Sequence, residues 1–393
     1  MQNRAKDLCP VAKKCGGCQY QGMPYEKQLQ EKEKTVKKLF KGICPVHSIK
    51  GMKEPYHYRN KVHAVFDRDR RGNIISGVYE MKSHRVVPVE TCMIEDQKAD
   101  EIIGMIRGML KSFKIRTYDE DTGYGLLRHV LVKRGFATGQ IMVVLVTASP
   151  VFPSKNNFVK ALRQKHPEIT TIVQNINGRG TSAVLGKQEH VLYGKGYIED
   201  VLMGLKFRIS ARSFYQINPV QTEVLYGKAL EYAQLSGNET VWDLYCGIGT
   251  ISLFLAQKAK MVRGVEIIPA AIENAKENAR LNGFDNTEFF VGKAEEVLPE
   301  QFARTGERAD VIVVDPPRKG CDETLLSTII EMQPDRVVYV SCDSATLARD
   351  LKYLCERGYE LKKVCPVDMF PNTVSVETVV LLSQLKQKPD DYI

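Results

Sequence analysis

Apolar and polar positions follow two different rhythms along this chain. From Tyr56 to about Phe207 the apolar residues come in short alternating or β-branched runs: KVHAVF, HRVVPVE, HVLVKRG, QIMVVLVT and TTIVQNI. Turn signals such as RRGN and INGRG part them. A period of two in runs of this length predicts strands, so 53–208 reads as a β-rich domain. One helix, roughly Ile94 to Phe113, interrupts it. Ahead of it, Leu29, Val36, Leu39 and Phe40 recur at helical spacing among Lys and Glu, predicting a helix over Tyr25–Lys41 within a segment 23–52. Residues 1–22 are rich in Cys and Lys and show neither period.

After about Ser210 the rhythm becomes strand, helix, strand, helix. Candidate strands are Val241–Leu244, Val262–Glu266, Thr287–Val291, Val311–Asp315, Arg336–Ser341, Tyr359–Val367 and Thr378–Leu382. The clearest helices between them are Pro269–Asn282 and Ser344–Arg357. Such alternation predicts an α/β fold over 209–393, a Rossmann-like, mostly parallel sheet covered on both faces. Ligands of such sheets sit at the carboxyl ends of the strands, where strand order reverses.

Composition narrows the setting. With 43% hydrophobic and 26% charged residues, the chain has the make-up of an ordinary soluble protein. No apolar run approaches the ~20 residues of a membrane span, and the polar start MQNRAKDLCPVAKKC holds no signal core. A cytoplasmic location without membrane attachment is therefore expected. Residues 1–70 hold 16 Lys/Arg against 7 Asp/Glu, which is the whole of the net charge of +9. A local basic excess points to a polyanion such as nucleic acid, or to a solvated face. Ten cysteines in a cytoplasmic chain do not read as disulfides.

Candidate chemistry lies at the ends of the later strands. VWDLYCGIGT (241–250) leads an apolar strand into a turn with Gly247 and Gly249, where the backbone can approach a ligand closely. Glu266 ends the next strand and is placed to grip ribose hydroxyls. The turn lacks both the phosphate-loop pattern and the full dinucleotide pattern, which favours a nucleoside without a pyrophosphate, pointing to S-adenosylmethionine. DPPRKG (315–320) holds Asp315 at the sheet rim, its prolines stiffening the turn. VVYVSCDSATLARDL (337–351) stops at Cys342 before a helix, whose exposed amides are expected to favour the thiolate. Cys246, Cys355 and Cys365 read as small core residues. Glu377 enters the last apolar strand, a costly place for a carboxylate away from a pocket mouth or a partner. A thiolate, a carboxylate and a methyl donor suffice for chemistry at carbon 5 of uracil: addition at C6 makes C5 nucleophilic, and a base then removes its proton.

Together with SFYQINPVQTEVLY, GVEII and DMFPNTVSVE, these motifs resemble the RNA uracil-C5 methyltransferase family (TrmA/RlmC/RlmD type) over nearly the whole chain. The resemblance implies a class I methyltransferase domain beside a β-rich RNA-binding domain. It implies cofactor contacts from Gln216, Tyr245, Glu266 and Asp315, with Cys342 as nucleophile and Glu377 as proton-abstracting base. Two positions depart from the family: Asp343 stands where Asn is usual, and Ser375 where His is common. Many members of the rRNA branch carry a small β-barrel before the cysteine set, which this chain is expected to lack.

Cys9-x5-Cys15-x2-Cys18, with Cys92 distant, supplies four thiols suited to zinc or to an iron–sulfur cluster, and spacing alone does not choose. The resemblance implies a [4Fe-4S] cluster with Cys92 as fourth ligand and Cys44 as competitor. It also points to the cluster-bearing branch, hence to 23S rRNA as partner of a monomeric enzyme. A tRNA substrate and a non-catalytic RNA-binding factor are the alternatives. Arg59, Lys61, Arg128, His129 and Arg134 are candidates for gripping RNA.

Overall fold

The computed structural model describes residues 9–385 except 82, 179, 181 and 182. The first sheet holds β1 (Lys61–Arg68), β2 (Ile74–Tyr79), β3 (Val86–Pro88), β4 (Leu127–Arg134), β5 (Ile141–Thr147), β6 (Ile169–Ile176) and β7 (Gln188–Tyr193), in the order β3-β2-β1-β4-β5-β6-β7. A hairpin of β8 (Tyr197–Leu202) and β9 (Leu205–Ser210) follows it. The helix expected at 94–113 spans Gln97–Met109, capped by Asp96, whose side chain accepts from the Ala99 amide.

A second helix, Lys155–Lys165, interrupts the β-rich region where only one was expected. Its Phe158, Val159 and Leu162 are buried, and it carries the chain across from β5 to β6, which pair in parallel. Parallel neighbours require such a crossover. The pattern missed it because three apolar residues among Lys, Asn and Gln make only a narrow stripe.

The second sheet contains β10 (Thr240–Leu244), β11 (Met261–Glu266), β12 (Thr287–Val291), β13 (Val311–Val314), β14 (Arg336–Ser341), β15 (Tyr359–Val367) and β16 (Glu377–Gln384). Their order is β12-β11-β10-β13-β14-β16-β15. Strands β10 to β14 are parallel, whereas β16 inserts antiparallel between β14 and β15. The chain moves outward one way from β10 through β11 and the other way through β13, so the crevice between these strands is the switch point of a doubly wound sheet. Strand β13, Val-Ile-Val-Val, is buried throughout, as a central parallel strand covered on both faces requires.

Apolar clusters cover both faces of this sheet. One runs from Val241, Val313 and Val340 to Leu131, Met142 and Val144 of the first sheet, so the two sheets share a core. The other joins Trp242, Ile312 and Tyr339 to Val36 and Phe40, which seats helix Tyr25–Leu39 on the second sheet.

Candidate active site

The antiparallel entry of β16 brings the two expected reactive residues together. Ser341 on β14 faces Thr378 on β16. Carried one residue further, that register sets Cys342 opposite Glu377. Glu377 is buried, Cys342 is half-buried, and each senses the charge of Arg318 and Asp315. Asp315 follows β13, its amide donating to the Leu244 carbonyl at 3.3 Å. The resulting ring joins the ends of β13, β14 and β16 beside the switch point.

These neighbours overturn one expectation. Cys342 does stand before helix Ser344–Cys355, but burial, then Glu377 and Asp315, push its thiol up to about 11, only partly opposed by Arg318. The helix terminus loses to two carboxylates and desolvation, so the resting group is a thiol. Burial, then Asp315, raises Glu377 to about 8, and burial raises Asp315 to about 7. At neutral pH the site holds protons that its chemistry must move. Asp343 is occupied elsewhere: its carboxylate caps the helix, accepting from the amides of Ala345 (3.0 Å) and Thr346 (3.1 Å). Asn and Asp are comparable N-caps, so the departure at this position preserves the capping role.

A cavity of about 520 Å³ is lined by Tyr245, Glu266, Gly292, Ala294, Pro317 and their neighbours. Glu266 is held by two amides, Gly247 donating to Oε2 at 3.2 Å and Ile268 to Oε1 at 2.9 Å. Each oxygen keeps a free lone pair for a hydroxyl. Gly247, at φ +56°, faces open space, whereas a Cβ on Gly249 would meet Ala275 Cβ at 3.1 Å and Phe289 at 3.4 Å. Gly249 therefore serves helix–strand packing. Tyr245 adopts φ +70°, a strained conformation for a non-glycine residue. The Gln216 amide donates to Tyr226 Oη at 3.3 Å, and the buried Tyr226 in turn senses Asp315 and Glu377.

Sequence reasoning missed Asp243. It is fully buried in β10; Ser252 donates to Oδ2, while Oδ1 lacks a partner among the described residues. Burial is the main cause raising it to about 7. The available signal was a carboxylate inside the apolar run VWDL. Asp243, Asp315 and Glu377 thus hold protons near neutral pH that a cationic ligand would help to release. Phe214, 63% exposed and two residues before Gln216, was also overlooked.

Among the residues expected to grip RNA, Arg128 and His129 are built into the fold. Arg128 is buried, donating to Glu120 Oε1 at 2.7 Å and the Asn177 carbonyl at 2.8 Å, over the ring of Tyr118. His129 is buried against His63, and burial lowers it to about 3. Arg134 pairs with Asp96 at 2.7 Å. Arg59 and Lys61 are half-buried, and Arg59 is felt by Cys18.

The early cysteines converge. Burial, then Cys15 and Cys9, push the Cys18 thiol up to about 11; burial, then Glu95, with Cys18 a further neighbour, push Cys92 up to about 12. Cys44 is buried elsewhere, in the cluster with Val36 and Trp242. Cys246 and Cys365 are core residues, as read, and Cys355 is half-buried. Among the described residues no three His, Cys, Asp or Glu side chains are disposed to hold a metal as they stand, and no helix is long and apolar enough to cross a membrane.

Known proteins match this arrangement along its length. An uncharacterized RNA methyltransferase of Halalkalibacterium halodurans is 51% identical over 385 residues, covering 97% of this chain and 84% of that protein. One from Clostridium tetani is 48% identical over 390 residues, 98% of this chain and 84% of that protein. The crystal structure of Pyrococcus abyssi tRNA (uracil-54, C5)-methyltransferase in complex with S-adenosyl-L-homocysteine superposes with a TM-score of 0.77 at 27% identity, over 91% of this chain and 83% of that one. Residues 24–385 match the tRNA (Uracil-5-)-methyltransferase family, and the chain belongs to it.

Proposed function

We propose that the protein transfers a methyl group from S-adenosylmethionine to carbon 5 of a uridine in 23S rRNA, with Cys342 as nucleophile and Glu377 as base. The observation that carries this reading is the β14–β16 register, whose last pair, Ser341 and Thr378, brings the adjoining thiol and buried carboxylate within reach of each other's charge, together with a nucleoside-sized cavity. The bound cofactor supplies an electrophilic methyl sulfonium. Glu266 is oriented for the ribose, Tyr245, Gly247 and Gln216 for the remaining contacts, and Asp315 for the cationic portion.

Once deprotonated, Cys342 adds to C6 of uracil, and the ring electrons move onto the C4 oxygen as an enolate. C5 then takes the methyl group as its bond to sulfur breaks. Glu377 removes the C5 proton, the 5,6 double bond re-forms, and the thiolate leaves. Once it has given up its own proton, a carboxylate raised to about 8 is a stronger base than an ordinary one. A stacked uridine cannot reach a half-buried thiol, so the base must be flipped; the exposed Phe214 offers a stacking face.

The four cysteines have the donor chemistry of a [4Fe-4S] cluster, although among the described residues they are not disposed as a ligand set as they stand. Burial and neighbouring charge raise Cys18 and Cys92, and a cation beside them would reverse that balance. Cys9, Cys15, Cys18 and Cys92 would hold it, with Cys44 excluded by its place in the core. This cysteine set is what supports 23S rRNA. The Pyrococcus abyssi tRNA enzyme keeps tRNA as a second reading. Mapping 5-methyluridine in 23S rRNA and tRNA from a strain lacking the gene decides: loss from 23S rRNA alone is expected, and loss from tRNA alone overturns the assignment. Glu377→Gln should trap the enzyme covalently on its RNA, seen as a slow band on a denaturing gel; normal turnover would remove Glu377 as base.

A further inference from the structure

The segment 368–376 leading into Glu377 is irregular, yet its backbone is held from the far end of the chain. Lys32 and Asp368 form an ion pair at 2.6 Å with both side chains fully buried, and Lys32 also donates to the Phe370 carbonyl at 3.0 Å. Tyr25 Oη donates to the second Asp368 oxygen at 2.9 Å. Gln28 clamps Asn372 from both sides: its amide donates to Asn372 Oδ1 at 3.1 Å, and its Oε1 accepts from the Asn372 amide at 2.8 Å. Asn372 stands at φ +68°, a conformation that the double clamp maintains. The residues just after Cys18 complete the hold. The Tyr20 amide donates to the Asn372 carbonyl at 3.0 Å, and Gln19 Oε1 accepts from the Val374 amide at 3.3 Å. The other end of Gln19 donates to the Gly16 carbonyl, inside the cysteine turn, at 2.8 Å.

A buried ion pair is a poor source of stability, because desolvation consumes most of its attraction; its best-attested use is to specify geometry. Here every such bond converges on the few residues before one carboxylate. We infer that Lys32, Gln28 and Gln19 are positioning residues: helix Tyr25–Leu39 and the turn after Cys18 hold the loop 368–376 so that Glu377 is aimed at the C5 proton. This rests on Glu377 being the base. It also makes the cysteine turn part of the proton-removal step, through Gly16, Gln19 and Val374, separately from any RNA contact. A displacement of the loop by about 1 Å is enough to cost a step on the order of 10- to 100-fold.

The test uses Lys32→Met and the exposed Gln19→Ala in the full-length enzyme, with Glu377→Gln alongside. Gln19→Ala keeps the question answerable if Lys32→Met does not fold. Turnover should fall on the order of 10-fold or more, the KM for S-adenosylmethionine should stay within about twofold, and covalent enzyme–RNA adduct should accumulate. Amide hydrogen exchange, measured without RNA or cofactor, should quicken at 374–378 but not in β10 or β13. Trapping by Glu377→Gln but not by the clamp variants overturns the clamp alone. A fall in turnover with no adduct and exchange raised throughout the chain marks a merely structural role and overturns it too. If Glu377→Gln turns over normally, the base assignment fails and the positioning role falls with it.

Discussion

Two buried charges of the first sheet and two of the second are treated in opposite ways. In the first, Arg128 is paired with Glu120 and a carbonyl, and Lys133, lowered to about 7 chiefly by burial, donates to the carbonyls of Ser210 and Ser213 at 2.9 Å each. In the second, Asp243 keeps an unpartnered oxygen, and Glu377 meets another carboxylate with only Arg318 to offset it. Partnered charges belong to the fold. Charges left short of partners mark where a ligand completes the structure, since an uncompensated buried ion persists only with a use that outweighs its cost.

The largest effect should come from the unpartnered side. Cys342→Ala is expected to lower turnover on the order of 10⁴-fold or more, measured by methyl incorporation into RNA, while RNA binding by filter retention stays near wild type. Residual turnover within about tenfold of wild type would break the covalent reading.

Stability should depend on pH in the sense opposite to an ordinary carboxylate. Glu377 is raised from 4.5 to about 8 and Asp243 from 3.8 to about 7, so between those limits the folded state carries protons that the unfolded chain has released. At these two groups the folded state binds more protons than the unfolded one, and their contribution to stability falls as pH rises from about 4 to 8. For Glu377 alone this is about 3 kcal/mol or more. Urea midpoints of wild type and Glu377→Gln at pH 5 and pH 8 isolate it from the opposite trend of His129 and Lys133: wild type should lose stability relative to the variant as pH rises, and an unchanged difference would contradict the raised Glu377.

Arg128→Ala tests the partnered side. Removing a buried guanidinium leaves the Asn177 carbonyl and a Glu120 side chain that is 26% exposed. The expected loss is about 2 kcal/mol of stability, reduced from the fully buried case by that exposure. RNA affinity of the folded fraction should be unchanged. A loss of affinity at full stability would return Arg128 to the RNA interface.

The smallest effect concerns the cofactor. A cationic ligand beside Asp315 and Asp243 favours their charged forms, so binding near pH 7 should release protons and tighten as pH rises from 6 to 8, by at most about tenfold per proton released. Calorimetry in buffers of different ionisation enthalpy measures the proton count; no release would separate the carboxylates from the cofactor's charge.

Much of the candidate site was legible in the sequence because strand ends carry their own signal. Asp315, Glu266 and Cys342 each close an apolar run before a turn, and in a parallel sheet every such end points to one edge. The grouping of Cys9, Cys15 and Cys18 was legible from spacing, whereas Cys92 entered only through the family resemblance. Arg128 and His129 were misread because charge in a basic strand does not reveal whether a partner waits across the sheet. Their burial depends on Glu120, Asn177 and His63.

Local order along the chain thus determined the α/β class, the strand ends and the reactive residue types, since periodicity and turn chemistry act within a few residues. Tertiary structure alone decided that Cys342 meets Glu377, because β16 arrives antiparallel from beyond β15 and its register is a non-local pairing. It also decided that the thiol rests protonated, a balance of burial, two carboxylates and one arginine that no single segment contains.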